Sequence, residues 1–246
     1  MPRYACVCSY DGYDYMGFQI QKGLPTIELE IENAFLKLLG DKVKIYPSGR
    51  TDKEVHAVGQ VFHFDLKKEI PPLGILKGLN AYLPQAIAVL DCKRVADDFH
   101  ARFWAVRKEY RYSINTKERN PLTARYSPYR YGLDPILMKE ALTLLVGCHD
   151  FKGFASASID PRKSTIKTIE CAELLEEEGK LVFRFIGNGF LKYQIRRMVG
   201  LLIEIGLQRE KKELITEILE KKDPKLSRYV APGCGLCLYR VDYKED

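Results

Sequence analysis

The first segment that could carry chemistry is a polar loop at residues 48–57, with the sequence SGRTDKEVHA. Asp52 lies two residues after Arg50 and three residues before a predicted strand. Because nearby cations lower the pKa of a carboxylic acid, Asp52 would stay ionised there and could act as a nucleophile or a base. On residue types alone, an aspartate in such a loop is more often a turn or helix-capping residue. Both interpretations remain open at this point.

A second candidate is a glycine-rich turn at residues 187–189, followed by a predicted helix. The backbone amides at a helix N-terminus can bind an anion. Lys192 and Arg196 lie four residues apart and so share one face of that helix. The alternative is a solvated basic face on a core helix.

A third candidate is the loop FHAR at residues 99–102, which combines His100 with Arg102. A single histidine is more often a structural residue than a catalyst. This loop therefore favours a structural interpretation.

The excess positive charge is concentrated in residues 106–131. The net charge of the chain is +6, and this segment supplies +5 of it. Its cations are Arg107, Lys108, Arg111, Lys117, Arg119, Arg125 and Arg130, and its tyrosines are Tyr110, Tyr112, Tyr126, Tyr129 and Tyr131. Cations neutralise phosphates and rings stack on unpaired bases, so the segment predicts an RNA surface. A solvated basic hairpin at a sheet edge is the alternative.

Composition excludes several classes of protein. Hydrophobic residues make up 46% and charged residues 29% of 246 residues, which is typical of a globular chain and not of a disordered one. No apolar run reaches the roughly 18–20 residues of a membrane span, and no signal peptide is seen. We expect a cytoplasmic protein whose seven cysteines are free thiols. Cys234 and Cys237 form the only CxxC, and we interpret them as small core residues and not as metal ligands.

Hydrophobic periodicity predicts an α+β fold with mixed or antiparallel sheets. Predicted strands cover residues 4–10, 43–46, 55–65, 86–95, 108–115, 166–176, 180–187 and 236–243. Predicted helices cover residues 26–39, 73–83, a segment opened by Asp134-Pro135 and closed by Gly147, residues 190–207 and residues 210–222. A boundary near residue 105 divides the chain into an N-terminal half, 1–105, and a C-terminal half, 106–246.

These segments together resemble the tRNA pseudouridine synthase A family. GRTDKEVHAVGQVFHF is similar to the active-site motif of that family, usually written GRTDAGVHA. YDGYDYMGFQIQ, FHARF, KEYRYSI, DFKGFAS, KSTIKTI, GNGFLKYQIRRMVG and APGCGLCLYRVDY resemble further family segments in the same order. The resemblance extends over about residues 4–243.

The resemblance implies a fold, an activity and a set of site residues. It implies two similar α+β halves around a basic cleft, and an isomerase that converts uridine to pseudouridine at tRNA positions 38, 39 and 40, on the 3′ side of the anticodon stem-loop. Asp52 is implied to be the catalytic aspartate, Tyr110 to pack on the target uracil, Arg196 to pair with the aspartate, and Arg50 to displace or replace the target base. A homodimer is implied. We expect no cofactor and no metal, because the isomerisation involves no redox change and the sequence has no P-loop, dinucleotide fingerprint or credible metal cluster.

The chain departs from the family pattern at a few positions. Lys53 and Glu54 replace the usual Ala-Gly, Lys192-Tyr193 replace a histidine-rich pair, and Phe18 replaces a common tryptophan. Glycine tolerates backbone angles that glutamate does not, so we expect the loop or its RNA contact to differ. A non-catalytic tRNA-binding or chaperone protein is therefore an alternative function, and an aspartate-dependent hydrolase of RNA or nucleotides is a third.

Overall fold

The computed structural model describes residues 1–157, 162, 164–177 and 179–244. The chain divides into two compact units: Met1–Val106 with Cys237–Asp246, and Arg107–Leu236. Both units combine helices with largely antiparallel strands, so the predicted α+β class is confirmed.

The elements follow one another along the chain in a mixed order. The strands are β1 (Arg3–Tyr10), β2 (Tyr46–Pro47), β3 (His56–Asp65), β4 (Ile87–Val95), β5 (Ala105–Asn115), β6 (Gly147–Asp150), β7 (Ile166–Glu177), β8 (Lys180–Gly187) and β9 (Leu236–Tyr243). The helices are α1 (Ile27–Leu39), α2 (Pro72–Tyr82), α3 (Pro135–Thr143), α4 (Gln194–Gly206) and α5 (Glu213–Lys221), with short 3-10 helices at Phe151–Phe154 and Gly233–Gly235.

In the first unit, neighbouring strands run in the order β4, β1, β3, β9. β1 is antiparallel to both β3 and β4, whereas β9 runs parallel to β3. Helix α1 buries Ile27, Ile31 and Phe35, which recur at helical spacing, and the Phe35 ring lies 4.6 Å from that of Phe64. Each such side chain stabilises the fold by roughly 1.5–3 kcal/mol. The helix ends at Gly40, whose φ of 71° is left-handed, as its sequence predicts.

In the second unit, neighbouring strands run in the order β5, β8, β7, β6 and pair antiparallel. The predicted β7–β8 hairpin is confirmed, although Glu178 in its turn lies outside the described residues, as does Lys163 of KSTIKTI. Register pairs Tyr110 with Phe185 and Tyr112 with Phe183. Tyr112 and Phe183 are fully buried.

Some predicted helix ends were wrong. Helix α4 begins at Gln194 and not at residue 190, because Gly189 (φ 153°) and Tyr193 (φ 66°) both lie outside the right-handed helical region. Helix α3 begins as predicted, with the Asp134 carboxylate accepting hydrogen bonds from the Ile136 and Leu137 amides, but it ends at Thr143. The expected last residue, Gly147, instead opens strand β6.

Within the described ranges, no helix is both long and apolar enough to cross a membrane. In that same part of the chain, no three His, Cys, Asp or Glu side chains are grouped so that they could hold a metal ion.

Candidate active site

The loop that carries Asp52, residues 48–55, is held at its start by hydrogen bonds to β3. The Ser48 amide donates to the Val61 carbonyl at 2.7 Å. The Ser48 hydroxyl donates to Gln60 Oε1 at 2.7 Å, and Gln60 Nε2 donates to the Gly49 carbonyl at 2.9 Å. Ser48 and Gln60 are fully buried, and breaking a buried pair of this kind costs about 1–3 kcal/mol.

The same network reaches the residue directly before Asp52. The Tyr10 and Thr51 hydroxyls are hydrogen-bonded at 2.9 Å, and Gln60 Nε2 also lies 3.4 Å from the Tyr10 oxygen. Thr51 is buried and Asp52 is half-buried. The backbone that presents the carboxylate is therefore fixed by side chains from β1 and β3.

Residues 11–18 pack against the other side of this loop through backbone atoms. A Cβ on Gly12 would lie 2.0 Å from the Val55 carbonyl oxygen, and one on Gly17 (φ 102°) would lie 2.9 Å from that of Thr51. The Phe18 amide donates to the Thr51 carbonyl at 3.1 Å. Only glycine permits this close approach at both positions.

Two of the candidate residues, Arg50 and Asp52, lie on one short loop of the first unit. Arg50 is exposed in that loop. The other two candidates, Tyr110 and Arg196, belong to the second unit.

Tyr110 lies on β5 and is held by an aromatic neighbour. Its ring meets that of Phe190 edge to face, with centroids 5.4 Å apart at 83°. The tyrosine is 8% exposed. Tyr112, two residues further on the strand, belongs to the core, and burial raises the pKa of its hydroxyl.

Arg196 lies in the first turn of α4 and is oriented by two contacts. Its Nε donates to the Ala231 carbonyl at 2.8 Å, and its guanidinium lies 4.8 Å from the centroid of the Tyr193 ring. The Lys192 ammonium lies 5.8 Å from the same ring, so the two predicted cations share one tyrosine. The next residue, Arg197, has a structural contact: it donates a hydrogen bond to the Ser227 hydroxyl at 2.8 Å.

The basic segment 106–131 divides into structural and exposed cations. Arg111 and Arg184 both donate to Glu109, at 2.8 and 3.0 Å. Burial pushes the pKa of Glu109 upward, but these hydrogen bonds outweigh it and hold that pKa below its ordinary value. Arg111 therefore stabilises the fold through its ion pair with Glu109, whereas Lys117 and Arg119 are exposed.

The comparison with known protein families decides between the functional interpretations. A family model described as tRNA pseudouridine synthase matches residues 7–104 and 141–244. The chain belongs to the tRNA pseudouridine synthase family. The predicted family and enzyme class, an isomerase that forms pseudouridine in tRNA, are therefore confirmed.

Several relatives named tRNA pseudouridine synthase A resemble this family member over its whole length. The one from Exiguobacterium sp. (strain ATCC BAA-1283 / AT1b) is 42% identical over 100% of this chain and 99% of its own. Those from Anoxybacillus flavithermus and Leuconostoc citreum are both 41% identical, over 99% and 100% of this chain and 99% of theirs.

At Glu54, where this synthase departs from the usual family motif, a non-glycine residue occupies a left-handed backbone position. Glu54 adopts φ 66°, the left-handed conformation that the glycine of the usual family motif favours. Its amide donates to the Tyr15 carbonyl at 3.3 Å, and its carboxylate lies 3.4 Å from the Lys53 ammonium. The loop thus holds a left-handed residue here without the glycine that normally permits it.

We expect Glu54→Gly to be more stable than Glu54→Ala by about 1 kcal/mol, because a left-handed conformation costs a non-glycine residue roughly 1–2 kcal/mol. Both variants lose the Lys53 contact, so the comparison isolates the backbone. Thermal unfolding should separate the two melting temperatures by about 2–4 °C. An alanine variant that is the more stable of the two would contradict the left-handed conformation.

Sequence reasoning missed the residues that support Asp52. Tyr10, Ser48, Gln60 and Thr51 come from three separate segments, and no local pattern connects them. The glycines at 12 and 17 were the available signal, because glycines in a short loop indicate close backbone approach.

Proposed function

We propose that this synthase isomerises uridine to pseudouridine at positions 38, 39 and 40 of tRNA, on the 3′ side of the anticodon stem-loop. Asp52 is the catalytic carboxylate in this proposal, and the reaction requires neither metal nor cofactor. The observation that carries it is the Asp52 loop itself, a family active-site motif whose backbone is fixed by buried hydrogen bonds from Gln60 and Tyr10.

The reaction breaks the N1–C1′ bond of uridine, turns the uracil and joins C5 to C1′. The proton leaves C5 and N1 gains one, so no electrons are exchanged with a partner molecule. The target must leave its stack, which costs a few kcal/mol. An ionised Asp52 attacks the sugar, attacks the base or removes a ribose proton, and all three routes use the same carboxylate.

Three further residues have supporting roles in this proposal. Tyr110 stacks on the turned uracil, and its contact with Phe190 supports this by holding the ring in one orientation. Arg50, which is exposed, occupies the space that the base leaves. Arg196 pairs with Asp52 and keeps it ionised, because an unpaired buried carboxylate would have a raised pKa.

We also propose that the enzyme works as a homodimer in the cytoplasm, where tRNA is available. The homodimer rests on the family resemblance, and the location rests on the tRNA substrate of the family. Light scattering of the purified protein measures the first directly, and a monomer at working concentration would contradict it.

Tritium release tests the activity. A tRNA transcript carrying uridine at only one of the three positions, tritiated at C5, should lose tritium to water when the enzyme is added with EDTA present. Tight binding without release would favour the non-catalytic alternative, and chain scission would indicate a hydrolase. Release from transcripts with no uridine at these positions would contradict the proposed site preference.

The exposed part of the basic segment supplies a prediction about tRNA affinity. We expect Lys117→Ala with Arg119→Ala to weaken tRNA binding and to flatten its salt dependence by up to about 0.9 log units per lost phosphate contact. Binding titrations at several salt concentrations measure the slope. Arg111→Ala is the matched control: it should lower the melting temperature because Glu109 loses a partner. An unchanged slope in the double variant would place the RNA elsewhere.

A further inference from the structure

A group of aromatic side chains lies on the surface of the first unit, in residues that the proposed mechanism does not use. This aromatic patch consists of Tyr46, His100, Phe103 and Trp104. Phe103 is 74% exposed, Tyr46 38% and Trp104 36%. Single exposed apolar residues are ordinary, but adjoining ones indicate a surface that binds something.

Ring contacts connect Tyr46, His100 and Phe103 directly, whereas Trp104 is connected to them through the buried rings of Phe99 and His63. The His100 and Phe103 rings lie 4.2 Å apart, and Tyr46 lies 6.3 Å from His100. Both Tyr46 and His100 pack on His63, with ring centroids 5.0 and 4.6 Å from that of His63. The His63 side chain is almost fully buried. The exposed rings are thus supported by a buried one.

The backbone beneath the patch is also anchored. The Ala101 amide donates to His63 Nδ1 at 3.2 Å, and the Trp104 amide donates to the His100 carbonyl at 3.0 Å. The centroid of the Trp104 ring lies 5.5 Å from that of the buried Phe99 ring. A ring that is already fixed loses little conformational entropy when a ligand stacks on it.

Two cations accompany the rings. The Lys44 ammonium lies 5.3 Å from the centroid of Tyr46, and the Arg102 guanidinium lies 5.8 Å from that of Phe103. Both cations are exposed. Aromatic rings beside cations suit unpaired nucleotides, whose bases stack while their phosphates are neutralised.

We propose that the aromatic patch, with Lys44 and Arg102, is an additional binding site for unpaired nucleotides of the substrate RNA, separate from the Asp52 loop. This proposal depends on the proposed function only in identifying the bound RNA as tRNA. Phe103 supplies the most accessible stacking surface, and Arg102 meets the adjoining phosphate.

Trp104 allows a direct test, because it is the only tryptophan in the chain. We expect its fluorescence to be quenched by unmodified tRNA and by an oligocytidylate of about ten nucleotides, within the usual site size for single strands. Phe103→Ala should weaken binding of both RNAs at least about fivefold, the lower end of the loss for one stacked base. Arg102→Gln should flatten the salt dependence of binding by up to about 0.7 log units, the value for one phosphate contact on a single strand.

Tyr82→Ala is the matched control, since Tyr82 is a tyrosine 46% exposed at the end of α2. It should leave both affinities and the quenching unchanged. Equal affinity in the Phe103→Ala variant would overturn the proposal. So would a change of oligomeric state in that variant without RNA, which would make the patch a subunit contact. Tritium release by the wild type, followed in the same samples, reports on the proposed function separately, because quenching does not require turnover.

Discussion

Asp52→Asn is expected to reduce tritium release from C5-labelled tRNA by at least about 10²-fold. Asparagine keeps the size and shape of the side chain but removes the charge that every proposed route requires. The size of the loss also carries information. General-base catalysis contributes about 10²–10⁴-fold, so a larger loss would favour a role for Asp52 as a nucleophile.

The tRNA affinity and the stability of that variant should stay close to those of the wild type. Asp52 is half-buried, and the fixed parts of its loop are the backbone and the neighbouring Thr51. Asp98→Asn, at an exposed position of the same unit, is the control for a lost negative charge and should turn over normally. Normal turnover by Asp52→Asn would end the assignment of Asp52 as the catalytic residue.

Most of the fold could be predicted because its elements obey local rules. Helix α1 has its apolar residues at helical spacing and a glycine at its end, and Asp134 followed by proline is a strong start signal for α3. The start of α4 could not be predicted in the same way. Tyr193 adopts a left-handed conformation that its residue type disfavours, and the surrounding packing overrides that preference.

The grouping of the C-terminal strand likewise depends on long-range pairing. Residues 236–243 read as a strand, but nothing local shows that β9 runs parallel to β3, with His56 opposite Cys237. The sequence division at residue 105 placed this strand with the second half, whereas the structure groups Cys237–Asp246 with the first unit.

The candidate site was predictable only as a motif. The sequence shows directly that Asp52 lies two residues after Arg50 and that the KEYRY segment contains Tyr110. The proposed roles of these residues came from the family resemblance. The supporting network could not be read, because Tyr10 and Gln60 are 50 residues apart in sequence. The tyrosines of the basic segment also differ among themselves, since strand alternation and sheet packing bury Tyr110 and Tyr112 while Tyr126 and Tyr131 are exposed.

Acidification should destabilise the first unit through His63. Burial lowers the pKa of this imidazole to about 4, with smaller contributions in the same direction from His100 and Arg3, and opposing ones from Asp65 and a backbone hydrogen bond at Tyr46. In the unfolded chain the pKa is about 6.5. Above pH 6.5 neither state binds the proton, so His63 then contributes no pH dependence.

Between pH 6.5 and 4 the unfolded state binds a proton that the folded state does not. The free energy of unfolding therefore falls as the pH falls, by about 3 kcal/mol at pH 4 from this residue alone. The loss levels off below that pH, where both states are protonated. Urea unfolding at a series of pH values between 7.5 and 4 measures it, and the NMR titration of the His63 ring gives the folded-state pKa.

His63→Asn separates this effect from the carboxylates that titrate over the same range. Its Oδ1 can accept the Ala101 amide hydrogen bond that His63 Nδ1 accepts at 3.2 Å, but it does not titrate. The wild type should lose about 3 kcal/mol more than this variant on going from pH 7.5 to 4. Parallel curves for the two proteins would show that His63 is protonated in the folded state as readily as in the unfolded one. The imidazole would then be better hydrated than its burial between Tyr46 and His100 indicates.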